Sequence, residues 1–248
     1  GKTLLFSQVC AKIYSGLFAG KPRLKASEKM FVVILSEKKT SGVYVAFENG
    51  IPSGFSGYDF FEIADCSPDC AEAFAASEKI YDEVYPPQRA EEIEKTGSEK
   101  VRQEKLAVWK LLFVAIERKF GYKPEELKFS KTENGKWICD KLWFSLSHSH
   151  GASAVIVSDK PCGIDVEYKV DFLKKSADKS FIEAFLNRIG ESASDFAAIS
   201  AEEILSLWTK KESLYKMTGE GVFSPKKITP GNETKSFVVG DYVFSVTE

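Results

Sequence analysis

The chain has 248 residues, of which 44% are hydrophobic and 28% charged, so it is long enough to bury a sizeable core. This composition excludes a wholly disordered or fibrous chain. Its 34 basic and 36 acidic side chains leave a net charge of −2, which gives no overall field that attracts nucleic acid or an anionic membrane. We therefore expect neither nucleic acid nor a membrane as a partner, and any anion site must be local.

The chain contains no run of 18 apolar residues, and the apolar stretch at 4–6 is too short for a signal peptide. We therefore expect a cytoplasmic protein. The five cysteines are odd in number and form no C-x-x-C pair, which argues against a disulfide framework and against a zinc ribbon. We predict reduced, mostly buried thiols.

In the first third of the chain, two short β-branched runs at 30–35 and 42–47 are separated by polar residues, which predicts a hairpin. A helical pattern then begins at Asp69 and ends at Pro86, because proline lacks an N–H and disfavours helix before it. Ser98 opens the longest predicted helix, whose apolar residues recur at steps of three and four until Gly121.

We place a boundary at residue 125, with an N-terminal α+β half at 1–125 and a C-terminal α+β half at 126–248. In the second half, strands are predicted at 136–139, 142–146, 154–158 and 162–168, the last as the arm of a second hairpin. A helix follows that ends at Gly190, then a helix from the capping box Ser200–Glu203 to Gly219, then a terminal hairpin at 235–246. Strands and helices in both halves predict the α+β class.

Two carboxylates share one face of the predicted strand at 163–167. Because strand side chains alternate, Asp165 and Glu167 face one side while Ile164 and Val166 face the other. Two oxygen ligands on one face suit a magnesium ion. The alternative is a solvated face of an edge strand, since charged residues mostly lie outside.

A glutamate interrupts the apolar stripe of the last helix. Glu212 lies in register with Ile204, Trp208 and Tyr215, where an unpaired carboxylate would be costly to desolvate, so a cation is expected beside it. Lys216 is one turn further on, and an ordinary i,i+4 pair is the alternative. The surrounding surface is locally basic, which suits phosphates or an acidic partner, and a solvated run of charges is the alternative. Its lysines are Lys210, Lys211, Lys216, Lys226 and Lys227.

Both histidines of the chain, His148 and His150, lie in FSLSHSHG (144–151), where a strand enters a glycine-containing turn. A zinc site would lack a third ligand at the usual spacing. Histidine beside hydroxyl groups at a turn suits an anion site. A buried, hydrogen-bonded histidine without a catalytic role is the alternative.

Three segments together resemble, in order and spacing, the larger, monomeric (surfactin-synthetase-activating) type of 4′-phosphopantetheinyl transferase. These enzymes activate carrier proteins of fatty-acid, polyketide and non-ribosomal peptide synthesis. The segments are FSLSHSHG (144–151), GIDVE (163–167) and WTKKESLYKMTGEG (208–221). The resemblance covers about residues 100–225, including a weaker similarity of the helix that contains Arg102. It does not extend to the first 90 residues.

The resemblance implies that Asp165, Glu167 and Glu212 bind Mg²⁺. It implies that Asp165, Glu212 and Lys216 are catalytic, with Lys216 handling phosphate and a proton. Polar and basic side chains would bind coenzyme A, and they are Ser147, His148, Lys136, Arg102 and Lys211. Lys136 follows Gly135 as in the family's G-K-P segment, but Trp137 stands in place of the proline.

The implied reaction is Mg²⁺-dependent transfer of the 4′-phosphopantetheine arm of coenzyme A to a serine hydroxyl of an apo acyl or peptidyl carrier protein. It releases 3′,5′-adenosine bisphosphate. Glu212 is the first candidate for deprotonating the serine, directly or through water, and Lys216 is the alternative. The resemblance also implies a monomer with two similar α+β halves related by a pseudo-twofold axis and an active site in the cleft between them. We expect the carrier to dock near Leu214, Met217 and Lys211.

Two other functions would use the same residues. A phosphohydrolase would use water as the nucleophile, but the sequence shows no second metal cluster. A non-catalytic module that binds coenzyme A or a carrier protein would not need the acidic residues and Lys216, and these are all present.

Overall fold

The computed structural model describes residues 31–47, 86–192, 199–219 and 221–248. The helix predicted from Asp69, together with Cys10, Cys66 and Cys70, lies outside the described residues. The described strands are β1 (Phe31–Glu37), β2 (Ser41–Phe47), β3 (Phe129–Lys131), β4 (Trp137–Cys139), β5 (Trp143–Ser149), β6 (Ala152–Ser158), β7 (Gly163–Tyr168), β8 (Thr234–Val239) and β9 (Tyr242–Thr247). The described helices are α1 (Pro87–Glu94), α2 (Glu99–Phe120), α3 (Lys169–Lys175), α4 (Lys179–Ile189) and α5 (Ala201–Thr218).

The first sheet is antiparallel, with the strand order β1-β2-β6-β5. The predicted hairpin of β1 and β2 is confirmed, and β3 and β4 form a separate two-stranded ribbon. Strands β5 and β6 follow residue 125 in the chain but share this sheet with β1 and β2, and the chain passes from this sheet to β7 of the second sheet at 159–162. The boundary at residue 125 stays a prediction.

Helix α2 covers one face of the first sheet. It begins where the Ser98 hydroxyl accepts the Val101 N–H at 3.4 Å and ends at Gly121, whose φ of 73° is the left-handed C-cap that glycine adopts most readily. Both predicted ends are confirmed. Trp109, fully buried, is the largest side chain of this core, where it packs edge-to-face on Phe144 of β5 with ring centroids 6.2 Å apart.

The second sheet has the order β7-β9-β8, and the predicted terminal hairpin of β8 and β9 is confirmed. The prediction that β7 returns as a hairpin arm against β6 is wrong, because β7 pairs with β9 along its whole length. Both edges of β6 are already occupied by β2 and β5, so no backbone donors remain on β6 for a further strand.

The two sheets pack face to face, and helices cover both outer surfaces. Between the sheets lie alternate residues of β2 and β6 together with Ile164, Val166 and Phe244 of the second sheet. On the far side, α3, α4 and α5 pack on the second sheet through Leu186, Trp208 and their neighbours. These layers confirm the α+β class. The pseudo-twofold axis and the cleft stay predictions.

Several local features were predicted correctly, whereas helices α1 and α3 were missed. The Ser200–Glu203 capping box and the left-handed Gly190 and Gly219 caps are present in α4 and α5. Helix α1 was missed because it starts at Pro87, and proline is tolerated in the first turn of a helix as well as ending one. In the described ranges Cys139 and Cys162 are free thiols, and no helix there is long and apolar enough to cross a membrane.

Candidate active site

The two carboxylates of β7 face helix α5. Ile164 and Val166 are buried between the sheets, whereas Asp165 and Glu167 point to the opposite side, as the alternation predicted. Asp165 is 2% exposed, and the Trp208 indole N–H donates to Glu167 Oε1 at 3.3 Å. Both carboxylates of β7 are therefore withdrawn from bulk water on the side of α5.

Gly163 lets α5 approach β7 closely. A methyl group at this position would clash with the Ser213 carbonyl oxygen and lie 2.8 Å from the Met217 backbone nitrogen. The Ser213 hydroxyl also donates to the Gly163 carbonyl at 3.1 Å. The glycine of the GIDVE segment therefore sets the distance between the strand and the helix.

Helix α5 brings Glu212 and Lys216 to the carboxylates of β7. The Lys216 ammonium lies 2.6 Å from Asp165 Oδ1 and 3.9 Å from Glu212 Oε2. The cation that the apolar stripe required beside Glu212 is therefore present, but its closer partner is Asp165. The interpretation as only an i,i+4 pair does not describe Lys216, because the contact with Asp165 is the shorter one.

Burial and the charge of Asp165 raise the pKa of both neighbouring glutamates. Burial and then the negative charge of Asp165 raise the pKa of Glu212 to about 8, although Lys216 acts in the opposite direction. Burial and then Asp165 also raise the pKa of Glu167 above its ordinary value. Three carboxyl groups therefore converge on a single ammonium, and Glu167 and Glu212 hold their protons more tightly than ordinary glutamates.

A row of serines on β5 holds β7 in place. The hydroxyls of Ser145, Ser147 and Ser149 accept the backbone N–H groups of Ile164, Val166 and Tyr168 at 3.1 to 3.2 Å. The residue numbers rise together along both strands, so the strands run in the same direction. Since β7 has β9 on its other edge, the serines satisfy donors that would otherwise be unpaired.

Ser147 is fully engaged within the protein. Its hydroxyl donates to Asp165 Oδ1 at 2.8 Å and accepts from the Val166 N–H and from the Lys216 ammonium. One hydroxyl has one donor and two acceptor positions, and all three are filled. The structure therefore shows Ser147 as a partner of Asp165, whereas sequence reasoning gave it to coenzyme A.

His148 lies on the other face of β5. Its Nδ1 is 3.2 Å from Oε2 of Glu104, a buried residue of α2 whose Oε1 accepts the Gly151 N–H at 3.3 Å. Sequence reasoning missed Glu104. The available signal was the gap in the apolar stripe of α2 between Val101 and Val108, which Glu104 fills on the buried side.

Two predicted coenzyme A ligands have protein partners away from the carboxylates. Lys211 is 3% exposed, lies 2.8 Å from Glu191 and donates to the carbonyls of Pro225 and Ile228. The predictions of Lys211 as a coenzyme A ligand and in a surface docking patch are corrected, because its ammonium is buried in a structural contact. Arg102 pairs with Glu99 and donates to the Thr96 carbonyl, so it holds the start of α2.

Lys136 lies at the C-terminal end of α5. Its ammonium donates to the Met217 carbonyl at 2.9 Å, one of the carbonyls that a helix end leaves without a helical partner. Burial lowers the pKa of Lys136. The lysine of the Gly135-Lys136 segment therefore packs on the helix that supplies Glu212 and Lys216.

The other histidine, His150, occupies the turn after β5 with a φ of 48°. Its ring stacks on Tyr168 at 4.7 Å between centroids, and its Nε2 lies 3.4 Å from Asp171 of α3. The His150 ring therefore faces α3 and β7. Its neighbours differ from those of His148, which contacts Glu104.

The three carboxylates fit a divalent cation in their chemistry. Asp165 Oδ2 is buried and has no hydrogen-bond partner, and the Glu167 and Glu212 carboxylates lie close enough to repel it. Among the residues that the structure describes, no group of three or more His, Cys, Asp or Glu side chains is arranged so that it could hold a metal ion. The Lys216 ammonium instead contacts Asp165 and Glu212. An orphaned carboxylate oxygen in an all-oxygen cluster is what a hard cation requires.

Comparisons with known proteins agree with this arrangement. A family model, the 4′-phosphopantetheinyl transferase superfamily, matches residues 161–238, which include Asp165, Glu167, Glu212 and Lys216. The 4′-phosphopantetheinyl transferase gsp of Aneurinibacillus migulanus is 33% identical over 102 residues, which are 41% of this chain and 42% of that protein. The chain therefore matches less than half the length of this relative. The resemblance predicted from the motifs is confirmed: residues 161–238 are similar to the 4′-phosphopantetheinyl transferase superfamily.

Proposed function

We propose that the protein transfers the 4′-phosphopantetheine arm of coenzyme A to a serine of an apo acyl or peptidyl carrier protein. The observation that carries this proposal is the convergence of Asp165 and Glu167 from β7 with Glu212 and Lys216 from α5. These residues lie in the segment that matches the family model. Three carboxylates and a lysine suit a reaction in which charge on a diphosphate must be neutralised.

Asp165, Glu167 and Glu212 would hold a Mg²⁺ ion. When bound, the ion supplies positive charge for the diphosphate oxygens of coenzyme A and for the negative charge that develops at the leaving phosphate. The support is chemical: the candidate ligands are all oxygens, and Asp165 Oδ2 is buried without a hydrogen-bond partner.

Glu212 and Lys216 are the groups that would move the proton of the carrier serine. Glu212 is the first candidate for the base, because α5 brings its carboxylate into the cluster with the Lys216 ammonium 3.9 Å away. Two donors of the Lys216 ammonium are used by Ser147 and Asp165, which leaves a third for Glu212 or for a phosphate oxygen.

Coenzyme A would approach from the side of His148 and Lys136. The side chain of His148 is 29% exposed. The charge of Lys216 is close enough to lower the pKa of His148. The expected carrier-docking patch loses Lys211, because that side chain is buried. The patch that we propose therefore consists of Leu214 and Met217. Both are partly buried residues of α5 close to the catalytic turn. We further propose that the protein acts as a monomer in the cytoplasm.

The test is the intact mass of an apo carrier protein after incubation with this protein, coenzyme A and Mg²⁺, beside a sample that contains EDTA. The expected result is a mass gain of one phosphopantetheine arm that disappears with EDTA. Several carriers from fatty-acid, polyketide and peptide synthesis are included. Measurable coenzyme A binding without a mass gain on any of them would overturn the transferase proposal in favour of a non-catalytic binding module.

A further inference from the structure

We propose that Glu104 is a positioning residue that holds the His148 imidazole as a phosphate-binding donor for coenzyme A. This inference rests on the proposed function, because it assigns the anion to that co-substrate. Glu104 belongs to α2 and lies outside the three motifs and outside residues 161–238. The assignment comes from its contacts alone.

Glu104 is a buried carboxylate with two specific partners. It is 8% exposed, and its two oxygens divide their contacts between the Gly151 N–H at 3.3 Å and His148 Nδ1 at 3.2 Å. Burying a carboxylate is costly unless it is paired. A helix that needed only a packed side chain here would be served by an apolar residue, so the contacts account for the carboxylate.

The contact with Gly151 fixes the turn that carries His148. The residues after β5 have positive φ angles, 48° at His150 and 81° at Gly151, which hold the chain in a tight turn into β6. By binding the turn and the imidazole with one side chain, Glu104 ties both to α2. The ring of His148 is thereby fixed in orientation as well as in place.

The contact of Glu104 with Nδ1 also leaves Nε2 as the ring nitrogen that can bind a ligand. The Glu104 carboxylate accepts a hydrogen bond from the Nδ1–H group of His148. Within the described residues, Nε2 of His148 has no protein partner. Since the side chain is 29% exposed, Nε2 is available to a ligand. An imidazole that is protonated on both nitrogens and anchored through Nδ1 is a charged donor to a phosphate oxygen.

The charged groups around His148 come from three helices. Burial lowers the pKa of His148, and the charges of Lys216 on α5 and Arg89 on α1 lower it further, whereas Glu104 on α2 raises it. Glu104 is the group that favours the cationic ring. The balance leaves the pKa of His148 below its ordinary value, and without Glu104 burial and two cations would lower it further, so the cationic donor to phosphate would be harder to form.

The first experiment measures this role without any enzymatic assay. The chain has two histidines, so the titration of each imidazole is followed by NMR and assigned with His148→Ala and His150→Ala. In Glu104→Gln we expect the titration midpoint of His148 to fall by about one pH unit and that of His150 to stay unchanged. The matched control is Glu117→Gln, an exposed glutamate further along α2. An unchanged His148 midpoint in Glu104→Gln would overturn the proposal.

The second experiment asks whether the two residues act together on coenzyme A. We expect Glu104→Gln to raise KM for coenzyme A about 10-fold with kcat changed less than about 2-fold. Combined with His148→Ala, Glu104→Gln is expected to add no further rise in KM, since its only route to the ligand is then gone. Full additivity of the two changes would show that Glu104 acts through the fold and would overturn the positioning role.

The two proposals fail in different ways. If the wild-type protein transfers nothing to any carrier, the dissociation constant of coenzyme A replaces KM in the same double-mutant cycle. Coupling between Glu104 and His148 in that cycle supports the positioning role even where the transferase proposal fails. Transfer by the wild type with no coupling in either measurement rejects the role of Glu104 alone.

Discussion

Two faces of α5 carry the same kind of residue with opposite consequences. Lys216 points to β7, where it contacts Asp165, Ser147 and Glu212 and stays 27% exposed in its side chain. Lys211 points the other way, where it is buried against Glu191 and two backbone carbonyls. Five residues of a helix turn the direction of a side chain by about 140°, whereas the four from Glu212 to Lys216 turn it by about 40°.

The comparison shows that local lysine density is a poor guide to an anion site. Both lysines belong to the same basic stretch, and sequence reasoning gave both to ligands or partners. Only Lys216 shares the face of Glu212, while Lys211 fixes α5 to the segment at 225–228 that follows it. We therefore propose a catalytic role for the face of α5 that carries Lys216 and a stabilising role for the face that carries Lys211, and the predictions below test this difference.

The largest effect is expected from Asp165→Asn, which removes the charge that faces Lys216 and keeps the size of the side chain. We expect the rate of transfer to fall about 1000-fold, because a cation site of three carboxylates would lose its most buried ligand. The measurement is the rate of carrier mass gain at saturating Mg²⁺. Asp171→Asn, on exposed α3, is the control that should retain the wild-type rate, and a wild-type rate in Asp165→Asn would refute the metal role.

Lys216→Met tests the catalytic face from the helix side. We expect a loss of about 100-fold in kcat, since the ammonium would no longer stabilise charge on the phosphate. The free energy of unfolding should change little, because two of the three repelling carboxylates can take up protons instead. Denaturant titration beside the rate measurement checks both parts. A large loss of stability with an unchanged kcat would reverse the roles assigned to the two faces.

Lys211→Met tests the opposite face. Its removal leaves Glu191 without its cation and two backbone carbonyls without their donor, so we expect the free energy of unfolding to fall by about 3 kcal/mol. The activity per folded molecule should stay within about 2-fold of the wild type. Thermal unfolding and an activity normalised to folded protein provide the measurements. A raised KM for coenzyme A would instead restore Lys211 to the binding site.

Ser147→Ala and Ser145→Ala form a matched pair with smaller effects. Both serines accept a backbone N–H of β7, but only Ser147 also donates to Asp165. We expect Ser147→Ala to raise the Mg²⁺ concentration for half-maximal rate about 10-fold, because Asp165 loses the hydrogen bond that orients it. Ser145→Ala should leave that concentration unchanged. Equal shifts in the two variants would show that the serines act only by holding the strand.

Local structure was largely predictable from the sequence. The ends of α2 and α5 follow from Ser98, Gly121, Ser200 and Gly219, because capping depends on residues within one turn. The opposite facing of Asp165 and Val166 follows from strand alternation, which needs no knowledge of the neighbouring strands. The missed helix α1 shows the limit of the same reasoning, since proline both ends and begins helices.

The sequence by itself determined the elements, the faces of β7 and the family motifs, because these depend on periods of two and 3.6 residues and on short segments. Only the tertiary structure decided that β7 pairs with β9, that Lys211 is buried, and that Glu104 meets His148. These contacts join residues far apart in the chain, and a local sequence pattern does not indicate which distant residues will be in contact. Packing decides them, because each buried charge and each free strand edge must find a partner somewhere in the folded chain.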